Sequence, residues 1–183
     1  MKKKQIMAIN GSASPNSSNL AILNKIAVLS HQTLDIKVID DLAELPHFKT
    51  ELTDINVPEK IVQFRNAIAS ADGILICTPE YVFSIPSGLK NAIEWCVSTT
   101  VLSNKPTGLI TASASGEKGH EELQLIMKTV MARFTPETLL LIQGVKSKVN
   151  NDGDIIDENT KKAIENFVKY FIELIQKSAV LLP

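Results

Sequence analysis

Cysteine is scarce in this chain: Cys77 and Cys96 are the two thiols in 183 residues. They form no CxxC pair, and each lies in or beside an apolar segment. That leaves a disulfide framework or a thiolate metal site without support. His31 and His47 have no ligand spacing with each other or with either cysteine, so no metal is expected. An excess of positive charge is missing too. Nineteen Lys plus Arg face twenty Asp plus Glu, for a formal net charge of -1. The balance offers nucleic acid no broad basic surface, and it argues equally against a strongly acidic electron carrier that steers towards basic partners. No apolar run approaches the ~20 residues of a membrane span. Lys2-Lys3-Lys4 followed by Gln5 to Ile9 imitates an export signal, but the apolar stretch breaks at Asn10-Gly11-Ser12, and a cytoplasmic protein without a membrane partner is expected. GxGxxG and GKS/GKT are absent as well, which argues against a dinucleotide Rossmann site and a P-loop NTPase.

What the chain does have is alternation. Short β-branched apolar runs at Gln5 to Asn10, Asp35 to Ile39, Gly73 to Thr78, Thr107 to Ala112 and Leu139 to Gln143 read as buried strands. Between and after them, amphipathic patterns near Asn19 to Leu29, Pro58 to Ser70, Pro86 to Val97, Gly119 to Arg133 and Glu158 to Lys177 read as helices. Strict alternation predicts an α/β fold: a flavodoxin-like, doubly wound, five-stranded parallel sheet of order 2-1-3-4-5, helices on both faces. No repeat or linker divides residues 1–183, so a single domain is expected. Pro46 to Val57 reads as a long connection, and Val145 to Asp157, with Asn150-Asn151-Asp152-Gly153, as a surface turn or hairpin.

In such sheets ligands bind beyond the carboxyl ends of the strands, which selects three loops. The first, Gly11 to Asn19, carries Ser12, Ser14, Asn16, Ser17, Ser18 and Asn19 at the start of a helix. Capping accounts for one or two of these residues; six suit a phosphate monoester held by hydroxyls, amides and backbone N–H groups at the positive end of the helix dipole. The second, Thr78 to Pro86, is stiffened by two prolines and offers Tyr81 and Phe83 as aromatic surface. The third, Thr111 to Gly119, is small and polar and lets the backbone approach a ligand. A phosphate cradle, an aromatic wall and a small-residue wall together describe a site for flavin mononucleotide, FMN.

Gly11-Ser12 with Ser17 and Asn19, Thr78-Pro79-Glu80-Tyr81, and Ile85-Pro86 with Leu89-Lys90-Asn91-Ala92-Ile93-Glu94-Trp95 resemble the NADPH-dependent FMN reductases of flavodoxin-like fold, a group that includes chromate, quinone and azo reductases. The resemblance runs from the first strand to the final helix. It implies that the first loop binds FMN phosphate, that Pro79, Glu80, Tyr81 and Val82 line the flavin ring, and that Ser113 to Gly116, with Ser115 between them, close its other side. It further implies a ping-pong reductase: NAD(P)H gives hydride to bound FMN, and a quinone, flavin, azo compound or metal oxyanion then takes the electrons. Two positions depart from the pattern. Many relatives carry arginine where Ser14 stands and asparagine where Val82 stands, so cofactor affinity and nicotinamide preference are the properties affected.

No catalytic side chain is assigned, because the flavin supplies the chemistry. Trp95 reads as a core or interface residue, His120 as an exposed loop histidine, and Cys77 and Cys96 as packing residues. Glu80 reads as a brace for its loop, with Lys90 a candidate partner. Tyr81, Val82 and Phe83 are available to a second subunit, so a homodimer or homotetramer is expected. The rival readings are a flavodoxin-type one-electron carrier and a flavin-free phosphoryl receiver. For the latter, Asp40-Asp41 are misplaced, since they follow the second strand rather than the first and third.

Overall fold

The structure, a computed structural model, describes residues 2–150 and 152–179. Its elements run β1 (Lys4–Asn10), α1 (Ser18–Ser30), β2 (Leu34–Ile39), α2 (Glu59–Ser70), β3 (Gly73–Thr78), α3 (Ser87–Glu94), β4 (Thr107–Ser113), α4 (Glu117–Thr129), β5 (Leu139–Gln143) and α5 (Glu158–Ala179). The five strands form one sheet of order β2-β1-β3-β4-β5, and every pairing is parallel. The flavodoxin-like doubly wound topology read from the alternation is therefore the one observed. Strand order reverses between β1 and β3, so the carboxyl ends of those two strands mark the binding crevice.

Burial explains why these segments are strands. All six residues of β3, Gly-Ile-Leu-Ile-Cys-Thr, are buried, because the strand is central and covered on both faces. One layer packs Ile22, Leu23 and Ile26 of α1 with Ile164, Phe167, Phe171 and Ile175 of α5 against the sheet. The opposite layer packs Phe64 and Ile68 of α2, Leu89 and Ile93 of α3 and Leu123 and Met127 of α4. Each fully buried side chain of this size contributes about 1.5–3 kcal/mol of burial.

Two helices differ from the sequence expectation for identifiable reasons. The α3 pattern was expected to reach Val97, but after Glu94 the hydrogen bonds tighten to i→i−3, with Cys96 N–H donating to Ile93 O at 2.9 Å and Val97 N–H to Glu94 O at 3.1 Å. Val97 is left exposed. Helix α4 starts two residues early, at Glu117, and stops at Thr129. Met131, at φ 58, reverses the chain, and Ala132 N–H closes the end by donating to Met127 O at 2.9 Å. The Val145 to Asp157 segment forms the expected hairpin-like turn, with a bridge between Val149 and Ile155; Asn151 lies outside the described residues.

Candidate active site

The first loop joins β1 to α1, and its shape is set from beneath. Asn10 is a buried polar residue at the end of β1. Its Oδ1 accepts from Ser12 N–H at 3.1 Å, and its Nδ2 donates to Ser17 Oγ at 3.4 Å, so one amide spans the loop. Gly11 admits no side chain: a Cβ there would lie 2.5 Å from Thr78 Oγ1 and 2.7 Å from Thr78 Cβ. This contact, with Gly11 N–H donating to Cys77 O at 2.8 Å, holds the ends of β1 and β3 side by side. Ser17 is the N-cap of α1 and accepts from Leu20 N–H at 3.1 Å. Asn16, at φ 53, occupies a left-handed position that asparagine tolerates. Ser14 and Asn16 are exposed and Ser18 half-buried.

Asn19 behaves differently from its neighbours. Its side chain is buried, donates to Ala112 O at 3.3 Å and accepts from the Cys77 thiol at 3.3 Å. It pins α1 to β3 and β4, and both ends of its amide are engaged there, so any contribution to a ligand comes from its backbone. Among the described residues nothing accepts from the N–H groups of Ser18 and Asn19, the first two of α1, which lie where an anion is favoured.

The second and third loops are locked together by Glu80. One carboxylate oxygen accepts from Gly116 N–H at 3.3 Å and the other from Gly119 N–H at 2.8 Å. Ser113 Oγ donates to Glu80 O at 3.4 Å. Glu80 is thus the brace expected, but its partner is the amino end of α4, not Lys90; among the described residues Lys90 has no carboxylate within 4.0 Å. Gly116 sits at φ 86, and a Cβ there would meet Leu141 Cδ1 at 2.9 Å. Glu80 places a carboxylate at the amino end of α4, where it disfavours an anion, whereas α1 is capped by the neutral Ser17 hydroxyl and has no acidic residue in its first turn. Pro79 is buried, and Ser115 is exposed at the turn.

Beyond Glu80 the chain makes a two-residue reverse turn, closed by Tyr81 N–H to Ser84 O at 2.9 Å and Ser84 N–H to Tyr81 O at 3.0 Å. Its central residues, Val82 and Phe83, have φ 52 and φ 60. Both project outward, 95% and 76% exposed.

His120 is not an exposed loop residue as expected: it lies half-buried on α4, and its Nδ1 shares a 2.9 Å hydrogen bond with Thr111 Oγ1. Burial lowers its pKa and disfavours the imidazolium. The thiols are packing residues. Burial drives the Cys77 pKa far upward and pushes Cys96 up to about 12. Trp95 is fully buried, in the core as expected.

A cleft of about 1120 Å³ opens beside the first two loops. Ser12 and Tyr81 are the sequence-named site residues on its lining, next to Gly11, Ala13 and Asn91. Asn16, Ser17 and Ser18 line a second cavity of about 780 Å³, on the flank of α1 that faces the Val145–Asp157 turn. The structure therefore places the first loop between two hollows. Asn10, Asp40, Asp41 and Asn91 went unnamed as site residues. The signals for them were a polar residue closing an apolar strand, acidic residues at the carboxyl end of β2, and an amide inside the LKNAIEW block.

The arrangement fits FMN on its own chemistry. A helix terminus with N–H donors and hydroxyl neighbours stands at the switch point, a carboxylate clamp ties the second loop to the third, and a roomy cleft opens beside the first two loops. Known proteins agree. The chain is similar to the NADH-dependent flavin reductase subunit 2 of Lactobacillus johnsonii, at 32% identity over 94% of this chain and 100% of that one. It is similar to a quinone reductase of Escherichia coli at 27% identity over 96% and 97% of the two chains. Among solved structures, the flavoenzyme NAD(P)H:(acceptor) oxidoreductase FerB of Paracoccus denitrificans superposes with a TM-score of 0.79 at 25% identity, covering 96% of this chain and 98% of that one. The NADPH-dependent FMN reductase profile matches residues 5–145, from the first strand past the last. The chain belongs to that family of flavin-dependent oxidoreductases.

Proposed function

We propose that the protein reduces a small acceptor, such as a quinone, at the expense of NAD(P)H, with FMN bound across the carboxyl ends of β1, β3 and β4. The observation that carries this reading is the contrast between an α1 terminus with no acidic group in its first turn, fronted by the hydroxyl-rich first loop, and an α4 terminus already occupied by the Glu80 carboxylate, which favours α1 over α4 for the phosphate. Ser12, Ser14, Asn16, Ser17 and Ser18, with the backbone of Asn19, hold that phosphate. Pro79, Glu80, Tyr81 and Val82 form one wall of the ring site; Ser113, Ser115 and Gly116 form the other. FMN, when bound, takes a hydride from NAD(P)H and passes two electrons to a second substrate, in turn. The sum, NAD(P)H plus quinone plus a proton giving NAD(P)+ plus hydroquinone, balances without consuming any protein group. The chain's contribution is to fix the three loops in register and keep them there, through Glu80, the Gly11–Thr78 contact and Asn10. The whole chain acts as one domain in the cytoplasm, and the exposed Tyr81-Val82-Phe83 rim supports a homodimer or homotetramer.

The test is one absorbance spectrum of the purified protein, then NADPH added without air. A yellow protein that bleaches, and whose heat-released cofactor runs as FMN, is expected. Release of FAD, or a colourless protein that takes up no FMN, overturns the cofactor assignment. A flavin band that NAD(P)H leaves unchanged turns the reading to the one-electron carrier. A monomer at micromolar concentration in light scattering overturns the oligomer.

A further inference from the structure

We propose that the cleft beside the flavin loops receives the electron acceptor, and that its acidic lining restricts acceptors to uncharged or cationic ring compounds. The inference rests on the FMN reading and narrows it. Gly11, Ser12 and Ala13 of the loop assigned to the phosphate and Tyr81 of the loop assigned to the ring line the cleft, so its occupant meets the ring site at Tyr81. Its volume, about 1120 Å³, is ample for one aromatic acceptor.

The far wall is built rather than incidental. It is the Pro46–Phe48 segment of the long connection, and α3 holds it at several points. Asn91 Oδ1 accepts from Phe48 N–H at 2.8 Å, while Asn91 Nδ2 donates to Pro46 O at 3.1 Å. Trp95 Nε1 donates to the same Pro46 oxygen at 2.7 Å, and the Phe48 and Trp95 rings meet edge to face at 5.3 Å. An aromatic residue on this wall faces the cleft that Tyr81 enters from the other side, so flat apolar rings find contact surface.

Charge then selects among rings. Asp40, Asp41, Glu44, Glu59 and Glu94 line the cleft against Lys60 and Lys90, for a formal lining charge of -3. Lys60 is already paired with Glu44 at 2.7 Å, so Lys90 is the one lining cation without a carboxylate partner among the described residues. The excess lines several sides: Asp40 and Asp41 follow β2, Glu59 opens α2 and Glu94 ends α3. A concave surface of one sign focuses its field and repels like-charged ligands. A sulfonated or carboxylated quinone, or a metal oxyanion, is disfavoured; a neutral quinone is not.

The experiment compares naphthoquinone with naphthoquinone sulfonate, which differ by one anionic group. Equilibrium dialysis against oxidised, FMN-saturated protein without NAD(P)H measures binding apart from turnover, and kcat/KM for both follows with NAD(P)H. The neutral quinone should bind about tenfold tighter at low ionic strength, with the gap shrinking as salt rises. In a D40N/D41N/E94Q variant the gap should fall to about twofold while neutral-quinone binding holds. In N91A, both quinones should weaken several-fold while FMN titration is unchanged. Equal binding of the two quinones, a gap indifferent to salt, or a gap unchanged in the triple variant overturns the proposal. FMN titration of the parent separates the failures: no FMN uptake defeats the cofactor reading, whereas normal uptake without charge preference defeats this inference alone.

Discussion

Val82 offers the sharpest test of the site's construction. It occupies the first central position of the Tyr81–Ser84 turn at φ 52, where an L-residue pays about 1–2 kcal/mol over its right-handed conformation, and a β-branched side chain is among the worst placed to pay it. Its side chain is 95% exposed, so it recovers almost none of that cost by burial. Asparagine visits the left-handed region readily and is favoured at this position of such turns. V82N removes strain without removing packing, and should stabilise the protein by about 1 kcal/mol, or about 2–4 °C in Tm for a chain of this size. Urea unfolding of the FMN-free protein is the assay, since cofactor binding would mask a shift of this size. The midpoint should rise with the m-value unchanged. V82N/F83G, which relieves both central residues, should rise further. A V82N midpoint at or below the parent's refutes the strain argument. A loss that appears only at high protein concentration shows that a second copy covers Val82 and that its side chain is buried after all.

Other outcomes follow from the same geometry. E80A removes the carboxylate that accepts two hydrogen bonds from backbone N–H groups at the amino end of α4 and should cost about 2–3 kcal/mol in urea unfolding; E80Q, which keeps one acceptor oxygen, should cost less. G11A forces a Cβ into Thr78 and should lower stability by about 3 kcal/mol or more, with partial recovery in G11A/T78A; a neutral G11A would show that the two strand ends are not in contact. S14R should tighten FMN in a titration if the position faces the cofactor phosphate, or raise NADPH over NADH in kcat/KM if it faces the nicotinamide; a change below about 1 kcal/mol in both places Ser14 in solvent. Burial lowers the His120 pKa, so the unfolded chain binds that proton more readily than the folded one. The stability gained from neutral His120 is full above its unfolded value, about 6.5, and drains as pH falls toward the lowered folded value. H120Q should flatten that part of the pH–stability curve, and an unchanged slope would assign it to other groups.

The strands were legible because a central parallel strand must be apolar along its whole length, and Ile74 to Cys77 can hardly be anything else. The first loop stood out in the sequence because six small polar residues exceed what capping needs. What escaped was set by contacts distant in sequence. The start of α4 depends on Glu80, 36 and 39 residues from the N–H groups it accepts, so local periodicity put the helix too late. The cleft wall depends on Asn91 and Trp95 reaching back 43 and 49 residues to Phe48 and Pro46, which no helical pattern reveals. Asn19 was read as a ligand because its position suited one; its amide was drawn inward by Cys77 and Ala112, whose proximity only the sheet order creates.

The two thiols give the fold a pair of internal clocks. Cys77 belongs to the layer covered by α1 and α5, Cys96 to the layer covered by α2, α3 and α4. Both are buried and held in the unreactive protonated form, so an alkylating reagent can mark each only when its own face opens. Comparing the two labelling rates measures whether the halves of the molecule separate from the sheet together or one before the other. If FMN phosphate binds at α1 as proposed, adding FMN should slow Cys77 in particular, since its thiol donates to Asn19, which pins that helix to the sheet.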